Sequence, residues 1–231
     1  MNPSPVRVSV VIPVLNAARF LPAMLGGLTG APVAEIIVVD GGSADDSASC
    51  AVAAGARVVA APRGRGAQLA AGIAAARQDW LLLLHADTRL GDGWRAAVAA
   101  HVAGTQQRAA YFCFALDSDD PRARRLERLV AWRCRQFALP YGDQGLLIHR
   151  ALLDLVGGIR PLALMEDVDL VRRLGQGRID QGRLAGLDVP AVTSAEKWER
   201  DGWLARSARN LACLALYGLG VPPRLLRRLY A

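Results

Sequence analysis

Residues 81–84 are four consecutive leucines that run straight into His85-Ala86-Asp87. An apolar run of that length, without polar alternation and ended by polar residues, fits a β-strand covered on both faces, the environment of a parallel sheet. The pattern has precedents upstream. Residues 6–12 (VRVSVVI) form a strand stopped by Pro13, Glu35 to Val39 a second, and Arg57 to Ala61 a third. Between them, helical spacing runs from Asn16 to Leu28, a helix starts at Ser43, and an alanine-rich helix follows PRGRG. Strand and helix alternating about every 25 residues predict βαβ units with right-handed crossovers.

After Asp120 the order changes. Ala109 to Leu116 is expected as a strand, Pro121 to Leu139 as an arginine-rich helix, and Gly145 to Ile148 as a short strand. A helix from Glu166 to Leu174, a last strand from Leu184 to Val189 and a helical C-terminal region complete the expectation. The fold class is therefore α/β, a mostly parallel central sheet flanked by helices, with a Rossmann-like first half. The junction DSDDP is too short for a flexible linker, so residues 1–231 read as one domain made of two halves, 1–118 and 119–231.

With 231 residues the chain can bury a sizeable core without disulfides. Its four cysteines are scattered, with no CxxC pair, which suits small buried thiols in a reducing cytoplasm. The N-terminus shows no charged leader followed by a long apolar segment. The apolar stretch LACLALYGLGV falls short of the roughly 20 residues that cross a bilayer. A soluble cytoplasmic protein is expected. Charge is lopsided: residues 1–120 carry a net −1 and residues 121–231 a net +8. The second half should therefore attract an anion, whether a phosphate-bearing substrate, an acidic lipid surface or nucleic acid. Arg224, Arg227 and Arg228 close an apolar helix, which offers peripheral attachment at the inner membrane face as one reading and a solvated basic face as the other.

Ligands in open α/β sheets collect at the carboxyl ends of strands. Asp87 is thus either a ligand group or the start of an Asp-Thr turn. Asp40 stands at such an end before Gly41-Gly42, where a carboxylate can meet a nucleobase or ribose. Ser43 and Asp46 suit an N-cap with an acidic third residue. PRGRG contains a GxG, weak evidence for a dinucleotide fingerprint, but the first βα turn, PVLN, has no glycine, which argues against an NAD-linked dehydrogenase. Arg63 and Arg65 at a helix start suit a diphosphate instead, or are solvated turn residues. In LMEDVDLVRRL, Asp167, Leu170, Val171 and Leu174 share one helical stripe, while Asp169 faces Arg172 and Arg173 as a surface pair. Asp167 is either a helix-start charge or a carboxylate aimed into a site. Trp198 and Trp203 read first as packing residues and second as a substrate platform.

Together VSVVIPVLN, EIIVVDGGSADDS, GRGAQ, HAD and MEDVDL resemble, in order and spacing, family 2 glycosyltransferases of the GT-A fold, over nearly the whole chain. More narrowly, GRGAQ, LLLLHADTRL, YGDQG, MEDVDL and SAEKWER resemble a small bacterial subgroup associated with arsenosugar biosynthesis and radical-SAM gene neighbourhoods. The resemblance implies an inverting, metal-dependent transfer of a sugar from a nucleoside-diphosphate sugar, UDP-sugar by family habit. It implies a nucleotide-sugar site of Pro13, Asn16, Asp40, Arg63, Arg65, Gly66, His85 and Asp87. Asp87 would be the metal acid, holding Mg²⁺ or Mn²⁺ weakly until the donor diphosphate arrives. Asp167 would be the general base with Glu166 in support, and Asp143, Gln144 and Trp198 the acceptor contacts. His85 stands at the first position of the family's DxD, and Ala70 where the family often has Asn. Those two departures favour the alternative, a sugar-nucleotide-binding module of the same fold with weakened catalysis. The acceptor is left open, anionic and lipid-linked molecules among the options, and no nucleic acid is expected.

Overall fold

The computed structural model describes residues 7–175 and 182–230. In chain order the first elements are β1 (Val8–Val14), α1 (Leu21–Gly26), β2 (Val33–Asp40), α2 (Ser47–Ala53), β3 (Arg57–Ala60), α3 (Arg65–Ala75) and β4 (Trp80–Leu83). They are followed by β5 (Thr88–Leu90), α4 (Trp94–Gly104), β6 (Ala109–Asp117), α5 (Pro121–Phe137), β7 (Leu146–His149), α6 (Arg150–Leu155) and α7 (Glu166–Gly175). The last are β8 (Leu184–Ser194), α8 (Glu196–Asp201), α9 (Trp203–Gly218) and α10 (Pro223–Tyr230).

The strands form one sheet in the order β3-β2-β1-β4-β7-β6-β8-β5. The pairs among β3, β2, β1 and β4 are parallel, as is β6 with β8; β7 runs antiparallel to both its neighbours, and β5 to β8. The leucine run sits beside the central β1 and is buried on both faces, as its composition predicts. Leu81 and Leu83 join Val11, Leu69 of α3, Leu152 of α6 and Leu170 of α7 on one side. Leu82 and Leu84 join Val10, Leu21 of α1 and Trp94 of α4 on the other. Each such leucine, taken fully out of water, contributes roughly 2 kcal/mol, enough to fix which residues of the strand face which layer.

Several boundaries differ from those the sequence predicts. Pro13 lies inside β1, not beyond it. Pairing of β1 with β4 ends at Val11 and Leu83, so the missing N–H of Pro13 points to a side where no ladder remains. Val6, the expected start, is outside the described residues. Helix α2 begins at Ser47, and the Ser43 hydroxyl caps nothing: it donates to Asp40 and accepts from the Asn16 N–H at 2.9 Å. The first helix is short because residues 17–20 form a turn ahead of Leu21. Strand β8 continues past Pro190 to Ser194, since two extra residues bulge out where Phe112 pairs Leu187 and Cys113 pairs Pro190. Strand β5, three residues long, gives too little periodicity to read from sequence. Among the described residues no helix is long and apolar enough to cross a membrane.

Candidate active site

The carboxyl ends of β1 and β4 open into a cleft of about 780 Å³. Pro13, Asn16, Arg63, Arg65, His85 and Asp87 all line it, although they come from the ends of three separate strands and the segments that follow them. The loops are tied to one another. Asn16 adopts the left-handed region (φ 51°), which its short polar side chain tolerates, and its Oδ1 accepts the Ala44 N–H at 2.8 Å. Asp45 accepts the Ala18 N–H at 3.0 Å, and the Ser47 hydroxyl accepts that of Ala17 at 2.8 Å. Gln68 of GRGAQ is buried and donates to the carbonyls of Val14 (2.7 Å) and Val39 (2.8 Å), stapling the ends of β1 and β2 together.

Asp87 lies in a turn and also faces the cleft. A turn closes at 3.2 Å from the Thr88 N–H to the His85 carbonyl, and the Asp87 side chain nonetheless faces the cleft. Its Oδ2 lies 3.5 Å from Lys197 Nζ and its Oδ1 3.4 Å from the Thr193 hydroxyl and 3.9 Å from His85 Nδ1. His85 Nε2 is buried with no hydrogen-bond partner among the described residues. Burial, reinforced by the positive charge of Arg65 and Lys197, holds the imidazole well below its ordinary pKa, so the ring is neutral and keeps a lone pair for a ligand. Among the described residues no three His, Cys, Asp or Glu side chains could hold a metal ion by themselves. Asp87 and neutral His85 therefore suit a cation only when a ligand brings further oxygens, as a diphosphate does.

Arg65 opens α3 and is shared. Its Nε pairs with Glu166 Oε1 at 2.9 Å and its Nη2 stands 3.6 Å from Asp167 Oδ2. Glu166 is 2% exposed, and burial raises its carboxyl against the pull of Arg65. Asp167 Oδ2 accepts the Gly142 N–H at 2.7 Å, while Leu170 and Val171 continue its stripe into a small apolar cavity between β4 and α7. Gly142 is the hub of this group: a Cβ there would meet Arg65 Nη2 at 2.5 Å, His85 Nε2 at 2.8 Å and Asp167 Oδ2 at 2.9 Å.

Other expected site residues lie elsewhere. The Asp40 carboxylate is turned back onto Gly42 and Ser43 and does not line the cleft. Gly66 is glycine for packing, since a Cβ would stand 2.7 Å from the Arg160 carbonyl. Gln144 is 1% exposed and knotted into the fold, donating to the Phe112 carbonyl at 3.0 Å and accepting the Tyr141 N–H at 3.1 Å. Trp198 is buried with Phe114 and Trp203, the packing role that its sequence favours first. Asp143 is half-buried; its Oδ1 has no partner among the described residues, and burial, opposed by Arg133, pushes its carboxyl up to about 6. Asp169 is not a surface group. It is 7% exposed and holds Arg173 at 2.7 Å and Arg160 at 3.0 Å, whereas Arg172 stacks over the Tyr217 ring. Sequence reasoning missed Gln68, Gly142 and Lys197; a polar residue inside an alanine-rich helix was the available signal for the first.

An uncharacterized glycosyltransferase of Mycobacterium tuberculosis is 39% identical over 87 residues, 37% of this chain and 39% of that protein, and one of Mycobacterium bovis matches equally. The match thus spans well under half of either relative. Among solved structures, glucosyl-3-phosphoglycerate synthase of Mycobacterium tuberculosis with Mn²⁺, UDP and glucosyl-3-phosphoglycerate superposes at a TM-score of 0.65 and 21% identity, over 94% of this chain and 81% of that one. The same enzyme with Mg²⁺ and UDP gives 0.64 and 20%, over 94% and 80%. At that identity the likeness carries the fold, which is GT-A. The family described as Glycosyl transferase family 2 matches residues 9–162, about two thirds of the sequence, and the chain belongs to that family.

Proposed function

We propose that the protein is an inverting, metal-dependent glycosyltransferase that moves a sugar from a nucleoside-diphosphate sugar, UDP-sugar first among them, to an acceptor hydroxyl. The observation that carries the reading is the meeting of Arg65, His85 and Asp167 around Gly142, with Arg65 and His85 also lining, beside Asp87, a cleft large enough for a nucleotide. Asp87 and His85 would hold Mg²⁺ or Mn²⁺, which supplies charge neutralisation for the departing diphosphate. The similar synthase, whose structures contain Mn²⁺ or Mg²⁺ with UDP, is in keeping with that assignment.

In the reaction the acceptor oxygen attacks the anomeric carbon, the bond from that carbon to the diphosphate breaks, and the diphosphate leaves with the electron pair. The acceptor proton goes to Asp167, a carboxylate held in place by the Gly142 N–H. Arg65 sits between this base and the leaving group, oriented by buried Glu166, so its charge faces the oxygens that become more negative. The N-terminal half serves the donor and the C-terminal half the acceptor, with Asp143 beside Asp167 as the acceptor contact. The arsenosugar-associated subgroup is the finer family reading, supported by its motifs. A lipid-linked or anionic acceptor and peripheral attachment at the inner membrane face draw support from α9 and the residue after it, where Leu204, Leu211 and Leu219 are exposed (87% for Leu204) on a protein of net charge +7.

The test is a panel of UDP-, GDP- and TDP-sugars, with and without Mn²⁺, followed for binding and for turnover. Metal-dependent turnover of one donor, cut by about 100- to 10,000-fold in Asp167→Asn with donor affinity kept, is the expected result. Tight donor binding without turnover under any acceptor would favour the binding-module alternative.

A further inference from the structure

One wall of the cleft comes from beyond the segment that the family matches. Helix α10 is pinned by Leu226, which is 0% exposed and packs with Met165 and Val168, the residues flanking Glu166-Asp167. Met165 itself holds the left-handed region (φ 66°), a costly backbone for a side chain without a local hydrogen bond to offer, so the α7 start and α10 are fixed against each other. The next residue along an α-helix is turned by about 100°. Arg227 thereby lines the cleft.

Among the described residues six cationic side chains line this cleft, and four of them have an acidic partner: Arg19 with Glu196, Arg65 with Glu166, Lys197 with Asp87, and Arg200 with Asp201. Arg63 and Arg227 have no acidic partner among the described residues. Both guanidinium groups line one cleft without a carboxylate to neutralise them among the described residues, and an oxyanion with several lone pairs can bond to both. We propose that Arg63 and Arg227 form an oxyanion-binding pair that takes a phosphoryl group of the substrate, with α10 as the wall that completes the site. The pair deepens the glycosyltransferase reading and rests on it for the source of the phosphoryl group, which is either the donor diphosphate or a phosphate on the acceptor.

Titrations of UDP, uridine and inorganic phosphate into wild type, Arg63→Ala, Arg227→Ala and Arg228→Ala decide the matter, with melting temperatures to confirm that each variant is folded. Arg227 is exposed and partnerless, so its removal should leave the fold alone. For a donor diphosphate, Arg227→Ala and Arg63→Ala each weaken UDP about tenfold, the loss of one charge-assisted hydrogen bond, and leave uridine unchanged. The double variant then loses less than the product of the two, because both groups hold one ligand. For an acceptor phosphate, UDP affinity is kept while inorganic phosphate binding to the UDP-saturated protein weakens. The proposal fails if Arg227→Ala alters neither affinity, or if Arg228→Ala, on the same helix but outside the cleft, does as much. If wild type binds none of UDP, GDP and TDP the glycosyltransferase reading falls, and the phosphate titration still decides for or against the pair.

Discussion

The substitution Gly142→Ala adds one methyl group at the point where three reactive side chains meet. Its contacts with Arg65 Nη2, His85 Nε2 and Asp167 Oδ2, at 2.5, 2.8 and 2.9 Å, all fall short of the ordinary separation of about 3.5 Å. Each group must therefore retreat by roughly 0.5 to 1 Å, which loosens Asp167 from the Gly142 N–H and Arg65 from Glu166 and shifts the His85 ring. The backbone at Gly142 is not in the left-handed region, so no strain is added there. Because the clashing atoms are tips of side chains, the cost in stability lies at the low end for overpacking, about 1 kcal/mol. For a domain of this size that lowers the melting temperature by about 2–4 °C. A displacement of about 1 Å at the reacting groups costs on the order of 100-fold in rate. Initial rates on the donor selected from the sugar-nucleotide panel, beside differential scanning fluorimetry, measure both. A variant that turns over at the wild-type rate would refute the assignment of these three side chains to the chemistry. A melting temperature that collapses instead would make Gly142 a structural residue.

Asp87→Ala should abolish the enhancement of UDP binding by Mn²⁺ in calorimetry and leave uridine binding alone; an undiminished enhancement moves the metal elsewhere. Arg65→Ala strands the buried Glu166 carboxyl, so the melting temperature should fall and recover in part when Glu166→Gln is added, whereas Arg63→Ala should not lower it. Asp143 binds its proton more tightly in the folded protein, near 6 against an ordinary 3.8, so it lowers stability increasingly as pH rises through that window. Asp143→Asn should then raise the melting temperature at neutral pH, with the gain closing as pH falls below the ordinary carboxyl range; an equal gain at both ends contradicts the burial account. Cosedimentation with anionic vesicles tests the membrane face, and Leu204→Glu with Leu211→Glu should reduce the pelleted fraction; no pelleting of wild type at low salt removes that reading.

The sheet was legible because burial on both faces writes itself into composition. A run such as LLLL fits a strand covered on both faces, and the βα alternation around it decides for the strand and fixes neighbours and handedness. The donor-side loops were legible for a related reason: strand ends in such sheets are where ligands gather, and Pro13, Asn16, Arg63, Arg65, His85 and Asp87 all come from strand ends or the turns after them. What stayed hidden were polar side chains whose partners are remote in sequence. Gln68 bonds two strands 29 and 54 residues away, and Gln144 a carbonyl 32 residues away. No local period carries such a partnership, and a buried amide looks like a surface amide until its acceptors are in view.

Helix α7 shows where the two kinds of information part. Apolar spacing assigns the stripe of Leu170, Val171 and Leu174 to the core and puts Asp167 at its head, and all three leucine and valine side chains are buried. The same spacing treats every other position as exposed, because a hydrophobic period describes one face only. Asp169 belongs to a second covered face, closed by Arg160 from the preceding loop and Tyr217 from α9, whose hydroxyl lies 3.4 Å away. Its carboxylate is thus a buried ion-pair centre, and removing it would leave Arg160 and Arg173 without their shared partner. The arginines of α10 divide in the same way. In sequence Arg224, Arg227 and Arg228 are one basic cluster, yet helical rotation sends Arg224 and Arg228 to a common face beside exposed Leu225, while Arg227 turns into the cleft. Charge counted along the sequence therefore predicts that something anionic is bound, and only the placement of each side chain separates a surface that meets it from a residue that grips it.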